Sequence, residues 1–120
     1  MKPTIKKMWI DALLSGKYKQ GKGMLKSPLD KNGGHKFCCL GVLCDLYNET
    51  HARKLKESPG KTTHDQLNCI LVDGEWGYLP PRVVAWAGLE SQDPMNGVLT
   101  AENDAGRKFT SIANLIEEEL

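Results

Sequence analysis

The chain has 120 residues, of which 40% are hydrophobic and 26% charged, a composition typical of one globular domain with a single core. No apolar run approaches the roughly 20 residues that a membrane-spanning helix needs, and no secretion signal is recognisable, so we expect a cytoplasmic protein without membrane contact. The net charge of +1 hides an asymmetry, because residues 1–37 carry nine lysines against two acids. A basic end of this kind suits an anionic ligand or an acidic partner.

Helical periodicity, bounded by capping and breaking residues, predicts four helices and one shorter helical turn. In chain order they are a helix capped by Thr4 and ended by Gly16, a largely buried helix beginning near Cys39, a helix opened by Pro81 and ended by Gly88, a short turn from Thr100 to Gly106, and a terminal helix beginning near Phe109. Gly41, near the start of the buried helix, has no side chain and would let another backbone segment approach closely.

Turn residues predict two β-hairpins between these helices. The first joins residues 17–25 to 36–38 across the turn-rich stretch 27–34, and the second joins residues 69–72 to 75–79 through Asp73-Gly74, which fits a type I′ turn. Residues 48–66 lack periodicity and predict a long exposed loop. The fold class predicted is therefore α+β, a single small domain over residues 1–120 with four to five helices packed on short antiparallel β-hairpins.

The segment Phe37–Tyr47 reads Phe-Cys-Cys-Leu-Gly-Val-Leu-Cys-Asp-Leu-Tyr and carries three of the four cysteines. A thiol at a helix N-terminus can become nucleophilic, and Cys38 or Cys39 would stand in that position. The Cys-Leu-Gly order from Cys39 loosely resembles the start of the catalytic helix in NlpC/P60-type peptidases. Such enzymes need a later histidine on a strand, whereas His51 and His64 lie in the predicted loop. Core packing is the favoured interpretation, and a cysteine-dependent hydrolase or transferase acting through Cys38 or Cys39 stays the alternative.

The cysteines predict neither a disulfide nor a metal site. We expect free thiols, because disulfides are rare in a reducing cytosol. The residues that could ligate zinc are His35, Cys38, Cys39, Cys44 and Cys69. Their spacing lacks the paired Cys-x₂₋₄-Cys knuckles of structural zinc sites, so we predict no metal ion and no other cofactor.

A lysine- and glycine-rich stretch, residues 16–23 and called here the lysine ribbon, is the strongest candidate for ligand binding. Its glycines expose backbone amides, its lysines add charge and Tyr18 offers a stacking face, which together suit a phosphate or a nucleotide-like anion. It lacks the Gly-Lys-Ser/Thr ending of a P-loop, and a solvated hairpin with lysines protecting its edge is the alternative. The predicted ligand-binding residues are Lys17, Tyr18, Lys19, Gln20 and Lys22, with Asn103 and Asp104 as candidate polar groups.

Residues 99–116 have a sequence pattern typical of a helix-turn-helix motif. Recognition of DNA would need a basic second helix, and no basic residue follows Lys108. We therefore exclude DNA binding by this element.

A series of short motifs follows one another along the chain. They are Trp-x-x-Ala-Leu at 9–13, Lys-Tyr-Lys-Gln-Gly at 17–21, Phe-Cys-Cys-Leu-Gly-Val-Leu-Cys-Asp-Leu at 37–46, Leu-Pro-Pro at 79–81, Trp-Ala-Gly-Leu at 86–89, Asn-Asp-x-Gly at 103–106 and Phe-x-x-Ile-Ala at 109–113. In this order they resemble a family of small uncharacterised proteins of tailed bacteriophages and prophages. The polar insert around 48–66 departs from that pattern, as does Lys108 in place of a serine. The resemblance implies a phage context and brings no assigned activity.

The sequence as a whole favours a phage-type accessory protein that acts by binding. It would sequester an anionic nucleotide-like small molecule or inhibit a host defence protein through the lysine ribbon. Besides the cysteine-dependent enzyme, the second alternative is a small protein–protein adaptor anchored by an exposed Trp76 or Trp86. The sequence leaves the oligomeric state open.

Overall fold

The computed structural model describes residues 1–120 as five α-helices and two small β-sheets of two strands each, which confirms the predicted α+β class. The helices are α1 (Pro3–Leu14), α2 (Cys39–Thr50), α3 (Pro81–Ala87), α4 (Val98–Asp104) and α5 (Phe109–Glu119). The strands are β1 (Lys19–Gln20), β2 (Lys36–Phe37), β3 (Glu57–Lys61) and β4 (Asn68–Val72). None of the helices combines the length and the hydropathy that a membrane span requires.

Helix α2 is the centre of the core, as its apolar periodicity predicts. Eight of its 12 residues are buried, among them Leu40, Val42 and Leu43, which lie between two of the cysteines. A Cβ at Gly41 would overlap the carbonyl oxygen of Leu25, so this position needs glycine. The close approach presses the chain around Leu25 onto the first turn of α2.

Helix α1 packs against α2 on one side and against α5 on the other. Trp9 of α1 is fully buried, and its indole Nε1–H donates a hydrogen bond of 2.9 Å to the Cys39 carbonyl oxygen. Helix α1 begins at Pro3, with Lys2 in the capping position, so the predicted N-cap at Thr4 is wrong. Proline is favoured at the first helical position because its φ is already helical and its missing N–H has no partner there.

The first predicted hairpin is a parallel pair of strands instead. Strands β1 and β2 run in the same direction, with Lys19 opposite Lys36 and Gln20 opposite Phe37. Lys26, between the two strands, forms an antiparallel bridge with Phe37. The chain therefore reverses direction twice between β1 and β2, whereas the sequence signals only the turn at residues 27–34.

The second predicted hairpin does not form. Its first strand pairs instead with a strand from the segment predicted to be a loop. Strand β4 pairs antiparallel with β3, which lies inside residues 48–66. The Ser58-Pro59-Gly60 sequence is typical of a turn, yet Pro59 is tolerated because β3 is an edge strand. Asp73 and Gly74 do form a tight turn with φ of 49° and 82°, but it is followed only by a bridge between Val72 and Glu75.

A left-handed segment precedes α4. Met95, Asn96 and Gly97 have φ of 58°, 54° and 84°, and α4 then begins at Val98, two residues before the predicted Thr100. Asparagine and glycine adopt this conformation readily, whereas methionine rarely does. The segment changes the direction of the chain between Asp93 and Thr100, and both of these residues line an open cavity.

Candidate ligand-binding cavity

An open cavity of about 220 Å³ lies beside the N-terminus of α2. Segments distant in sequence meet there: the ribbon end at Gly23, the start of α2, the turn before β4, the chain after the Asp73-Gly74 turn, and α4 with the residues before it. Its chemically active lining consists of three residues with aromatic rings, two carboxylates and one thiol: His64, Trp76, Tyr78, Asp93, Asp104 and Cys38.

The two carboxylates of the cavity have no cationic partner. Asp93 Oδ1 accepts a hydrogen bond of 3.2 Å from the Thr100 hydroxyl, and Asp104 Oδ1 accepts one of 2.8 Å from the Gly23 amide. The other oxygen of each carboxylate accepts none. All the ion pairs of the molecule use other acids. Neither carboxylate is therefore part of an ion pair, and one oxygen of each is open to a ligand.

Aromatic residues line the same cavity as the two carboxylates. The His64 and Trp76 rings meet edge to face, with centroids 6.5 Å apart and planes at 83°. The Trp76 carbonyl oxygen accepts a hydrogen bond of 2.7 Å from the Leu25 amide, which fixes this segment to the chain that crosses α2. Tyr78 is exposed, so its ring is available to a ligand at the cavity mouth.

The thiol of Cys38 lies at the floor of the cavity, in the N-cap position of α2. Burial raises its pKa to about 11, against the opposing effect of the Gly41 and Leu40 amides, and the thiol makes no capping hydrogen bond. Cys39 is fully buried; its thiol lies 3.7 Å from the Leu99 carbonyl oxygen, and burial raises its pKa well above the ordinary value. Both thiols are therefore protonated at neutral pH, and the alternative in which Cys38 or Cys39 acts as a nucleophile stays a prediction; His64 shares the cavity with Cys38.

The predicted lysine-ribbon residues make contacts within the protein. Lys17 pairs with Glu49 at 2.6 Å, and Lys19 lies 3.6 Å from the Asp30 carboxylate. The Tyr18 hydroxyl donates to the carboxylate of Asp45, and burial together with this acid raises the Tyr18 pKa.

Lys22 is exposed and forms no ion pair; its ammonium lies beside Gly106, after α4. It is therefore the one lysine among the predicted ligand-binding residues whose charge has no partner within the protein.

Gln20 and Asn103 together form the polar connection behind the cavity. The Asn103 Oδ1 accepts hydrogen bonds from the Cys39 amide at 3.2 Å and from Gln20 Nε2 at 3.0 Å, and its Nδ2 donates to the Gly21 carbonyl oxygen at 2.8 Å. Gln20 Oε1 accepts from the amide of Phe109 at 3.1 Å, at the start of α5. These two side chains join β1 to three helices, and Asp104 alone of the seven predicted residues lines the cavity.

Most residues of the cavity leave no signal in the sequence because they come from irregular segments. His64 and Asp93 carry no motif, and Trp76 enters that analysis only as an adaptor anchor, which its half-buried position does not favour. Trp86, the other predicted anchor, packs edge to face against Tyr47, with centroids 5.4 Å apart. The one usable signal is the Asn103-Asp104 pair, whose second member does reach the site.

The structure gathers no group of three or more His, Cys, Asp or Glu side chains that could hold a metal ion. The cysteines are all free and buried. His35, the remaining zinc candidate, lies with its Nδ1 2.7 Å from the Ser27 carbonyl oxygen.

A family model described as a domain of unknown function (DUF8296) matches the whole chain, residues 1–120. No curated protein and no solved structure matches it. The resemblance to phage proteins and the function that follows from it stay predictions.

Proposed function

We propose that this chain, which belongs to the DUF8296 family, is a binding protein whose cavity beside α2 takes a small cationic group that stacks on aromatic rings. The observation that carries the proposal is the pair of carboxylates, Asp93 and Asp104, which line one cavity together with aromatic residues and form no ion pair within the protein. The binding role agrees with the role predicted from the sequence, but the ligand charge and the site are different.

The energetics favour a cation at this position. A charge-assisted hydrogen bond contributes about 1.5–3 kcal/mol, and a cation over an aromatic face adds about 0.5–2 kcal/mol. The free oxygens of Asp93 and Asp104 can each accept such a bond, while Trp76 and Tyr78 offer the faces. An anion would meet the same two carboxylates at short range and be repelled.

Three isosteric probes test the charge of the ligand. Benzamidinium is a planar aromatic cation, benzamide is its neutral counterpart and benzoate its anionic one. Titration calorimetry should detect binding of benzamidinium alone. Equal binding of benzamide, or preferred binding of benzoate, would refute the proposal.

A double variant, Asp93→Asn with Asp104→Asn, identifies the site. Asparagine keeps the Oδ1 acceptor that each carboxylate uses internally, so the fold should survive while the negative charge is lost. We expect benzamidinium affinity to fall at least tenfold. Asp11→Asn, an exposed acid on α1 outside the cavity, is the matched control and should leave the affinity unchanged.

A second candidate is the anionic nucleotide-like ligand predicted at the lysine ribbon. Two observations favour it: Lys19 and Lys36 are neighbours across the parallel strands with the single carboxylate of Asp30 near them, and Lys22 is unpaired. Replacement of Lys17, Lys19 and Lys22 by alanine should then abolish binding of a nucleotide such as ATP without unfolding the protein. Unchanged affinity would remove this candidate and leave the cavity proposal untouched. In a phage setting, either ligand could belong to a host defence system.

A further inference from the structure

We infer that two copies of this chain associate through α5, with the two helices antiparallel about a two-fold axis beside residue 113. This surface is separate from the ligand cavity. Thr100 and Asp104 of α4 line the cavity, whereas Val98 and Glu102, about half a turn away from them around the helix axis, line a groove against α5. The inference therefore does not rest on the proposed function.

A stripe of four residues runs along α5 at the spacing of a coiled-coil seam. It starts at the N-cap of the helix, and its members follow at intervals of three, four and three residues: Lys108, Ser111, Leu115 and Glu118. The buried residues of α5 lie on another face: Phe109, Ile112, Ala113 and Ile116. The two ends of the stripe are exposed and its two middle residues are half-buried, so the rest of the molecule leaves the stripe accessible.

The ends of the stripe carry opposite charges without partners. Lys108 and Glu118 belong to none of the six ion pairs of the molecule. The ten residues from one to the other span about 15 Å of helix, so they cannot pair within one copy. Each charge also lies at the end of α5 where the helix dipole opposes it, because a cation is unfavourable at the N-terminus and an anion at the C-terminus. A second helix running in the opposite direction would correct both ends at once.

A two-fold axis beside residue 113 is the register that matches these charges. Residues equally distant from the axis face each other, so Lys108 of each copy meets Glu118 of the other, and Ser111 meets Leu115. Both contacts occur twice, as an interface between identical surfaces requires, and the assembly closes at two copies. A parallel arrangement would instead place like charges together at both ends of the stripe.

The groove between α4 and α5 supplies the apolar contact. It measures about 310 Å³, and its apolar lining consists of Val98, Ile112 and Leu115. Val98 is 41% exposed although it is apolar. In the two-fold register, Leu115 of the second copy lies opposite Ser111, at this groove, where it can cover Val98. Two leucines and two ion pairs make a small interface, so the dimer should be weak and sensitive to salt.

Sedimentation equilibrium of the native protein is the first test. We expect a reversible monomer–dimer equilibrium at low ionic strength, with dimer present at protein concentrations of about 1 mM. Dissociation should follow in about 1 M salt, because the ion pairs are then screened.

Charge reversal tests the register. Lys108→Glu and Glu118→Lys each place like charges at both ends of the interface, and each should weaken the dimer at least about tenfold. An equimolar mixture of the two single variants should form a heterodimer, and the double variant should associate as well as the native protein. Loss of the dimer cannot be ascribed to unfolding, since each reversal puts a charge that the helix dipole favours at its end of α5.

Two matched controls carry the same changes of charge elsewhere. Lys31→Glu and Glu90→Lys alter exposed residues that form no ion pair and lie outside α5, and neither should affect the dimer. If they weaken it as much as the α5 variants do, net charge alone controls association and the interface is overturned.

Three further outcomes would contradict the inference. A native protein that stays monomeric at low salt and about 1 mM would overturn the dimer. A dimer that survives both single reversals would overturn the α5 register, and oligomers that keep growing with concentration would overturn the closed two-fold. None of these results bears on the cation site, because benzamidinium binding is measured at the other side of α4.

Discussion

Asn103 shows how a single residue determines the geometry around the cavity. Its side chain is fully buried, and every hydrogen-bonding atom on it is used: it accepts from the first amide of α2, accepts from Gln20 and donates to the Gly21 carbonyl oxygen. The neighbouring Asp104 accepts from the Gly23 amide and lines the cavity. Two adjacent polar residues therefore have different tasks, one within the fold and one at the site.

Replacing Asn103 should cost far more stability than replacing an exposed asparagine. Asn103→Ala removes the partner of the buried Cys39 amide and of the partly buried Gly21 carbonyl, and an unsatisfied buried group costs about 1–3 kcal/mol. We expect the free energy of unfolding, measured by urea denaturation, to fall by about 2–5 kcal/mol. Asn114→Ala, on the exposed face of α5, is the control and should change it by less than about 0.5 kcal/mol. Equal effects of the two variants would show that the network contributes nothing.

At the scale of elements, the left-handed segment before α4 holds two consecutive non-glycine residues, Met95 and Asn96, at positive φ. A non-glycine residue in this conformation costs about 1–2 kcal/mol, and Met95 also packs against the core with part of its side chain. This conformation lets both Asp93 and Thr100 line one cavity. There the Thr100 hydroxyl donates a hydrogen bond to the Asp93 carboxylate.

Two substitutions at Met95 separate the cost of its positive φ from the cost of losing its packed side chain. Met95→Ala and Met95→Gly both remove the side chain, but only glycine also removes the Cβ that opposes a positive φ. We expect the glycine variant to be about 1 kcal/mol more stable than the alanine variant in urea unfolding. At the exposed position Ala85 in α3, the order should reverse, with Ala85→Gly losing about 1 kcal/mol relative to the native alanine. The same order at both positions would rule out strain at Met95.

The elements that the sequence predicts well are those in which local signals and packing agree. Helix α2 has an apolar run on nearly all its faces, and α3 lies between Pro81 at its start and Gly88, with φ of 69°, at its end. Strand β3 is missed because Ser58-Pro59-Gly60 has turn composition and becomes a strand only through its pairing with β4. Pairing partners that are distant in sequence leave no local signal, and the direction of β1 against β2 has the same origin.

At the scale of the molecule, some charged side chains form ion pairs and others do not, and the sequence does not show which. The lysine ribbon stands out in composition, yet Lys17 and Lys19 have acidic partners across the fold, whereas Asp93 and Asp104 have none. Composition counts every charge equally, but tertiary contacts decide which charges remain available to a ligand. The site predicted from the sequence and the site in the structure therefore share only Asp104.

The buried thiols make the stability of the whole molecule sensitive to alkaline pH. Burial raises the pKa of Cys38 from the ordinary 9.0 to about 11, and it raises those of Cys39 and Cys44 as well. In each case the folded state keeps its proton where the unfolded state loses it. The stabilisation is therefore complete below pH 9 and is lost as the pH rises toward 11.

We expect the urea midpoint of the native protein to fall steeply between pH 9 and 11, with Cys38 contributing about 2–3 kcal/mol over that range. Cys38→Ala removes one titrating group, so its free energy of unfolding should fall less over the same interval, even if it is lower at pH 7. Every other titrating group is common to the two proteins, so the difference between their pH profiles isolates the thiol. Parallel profiles would mean that Cys38 titrates equally in the folded and unfolded chain, and that the floor of the cavity is open to water.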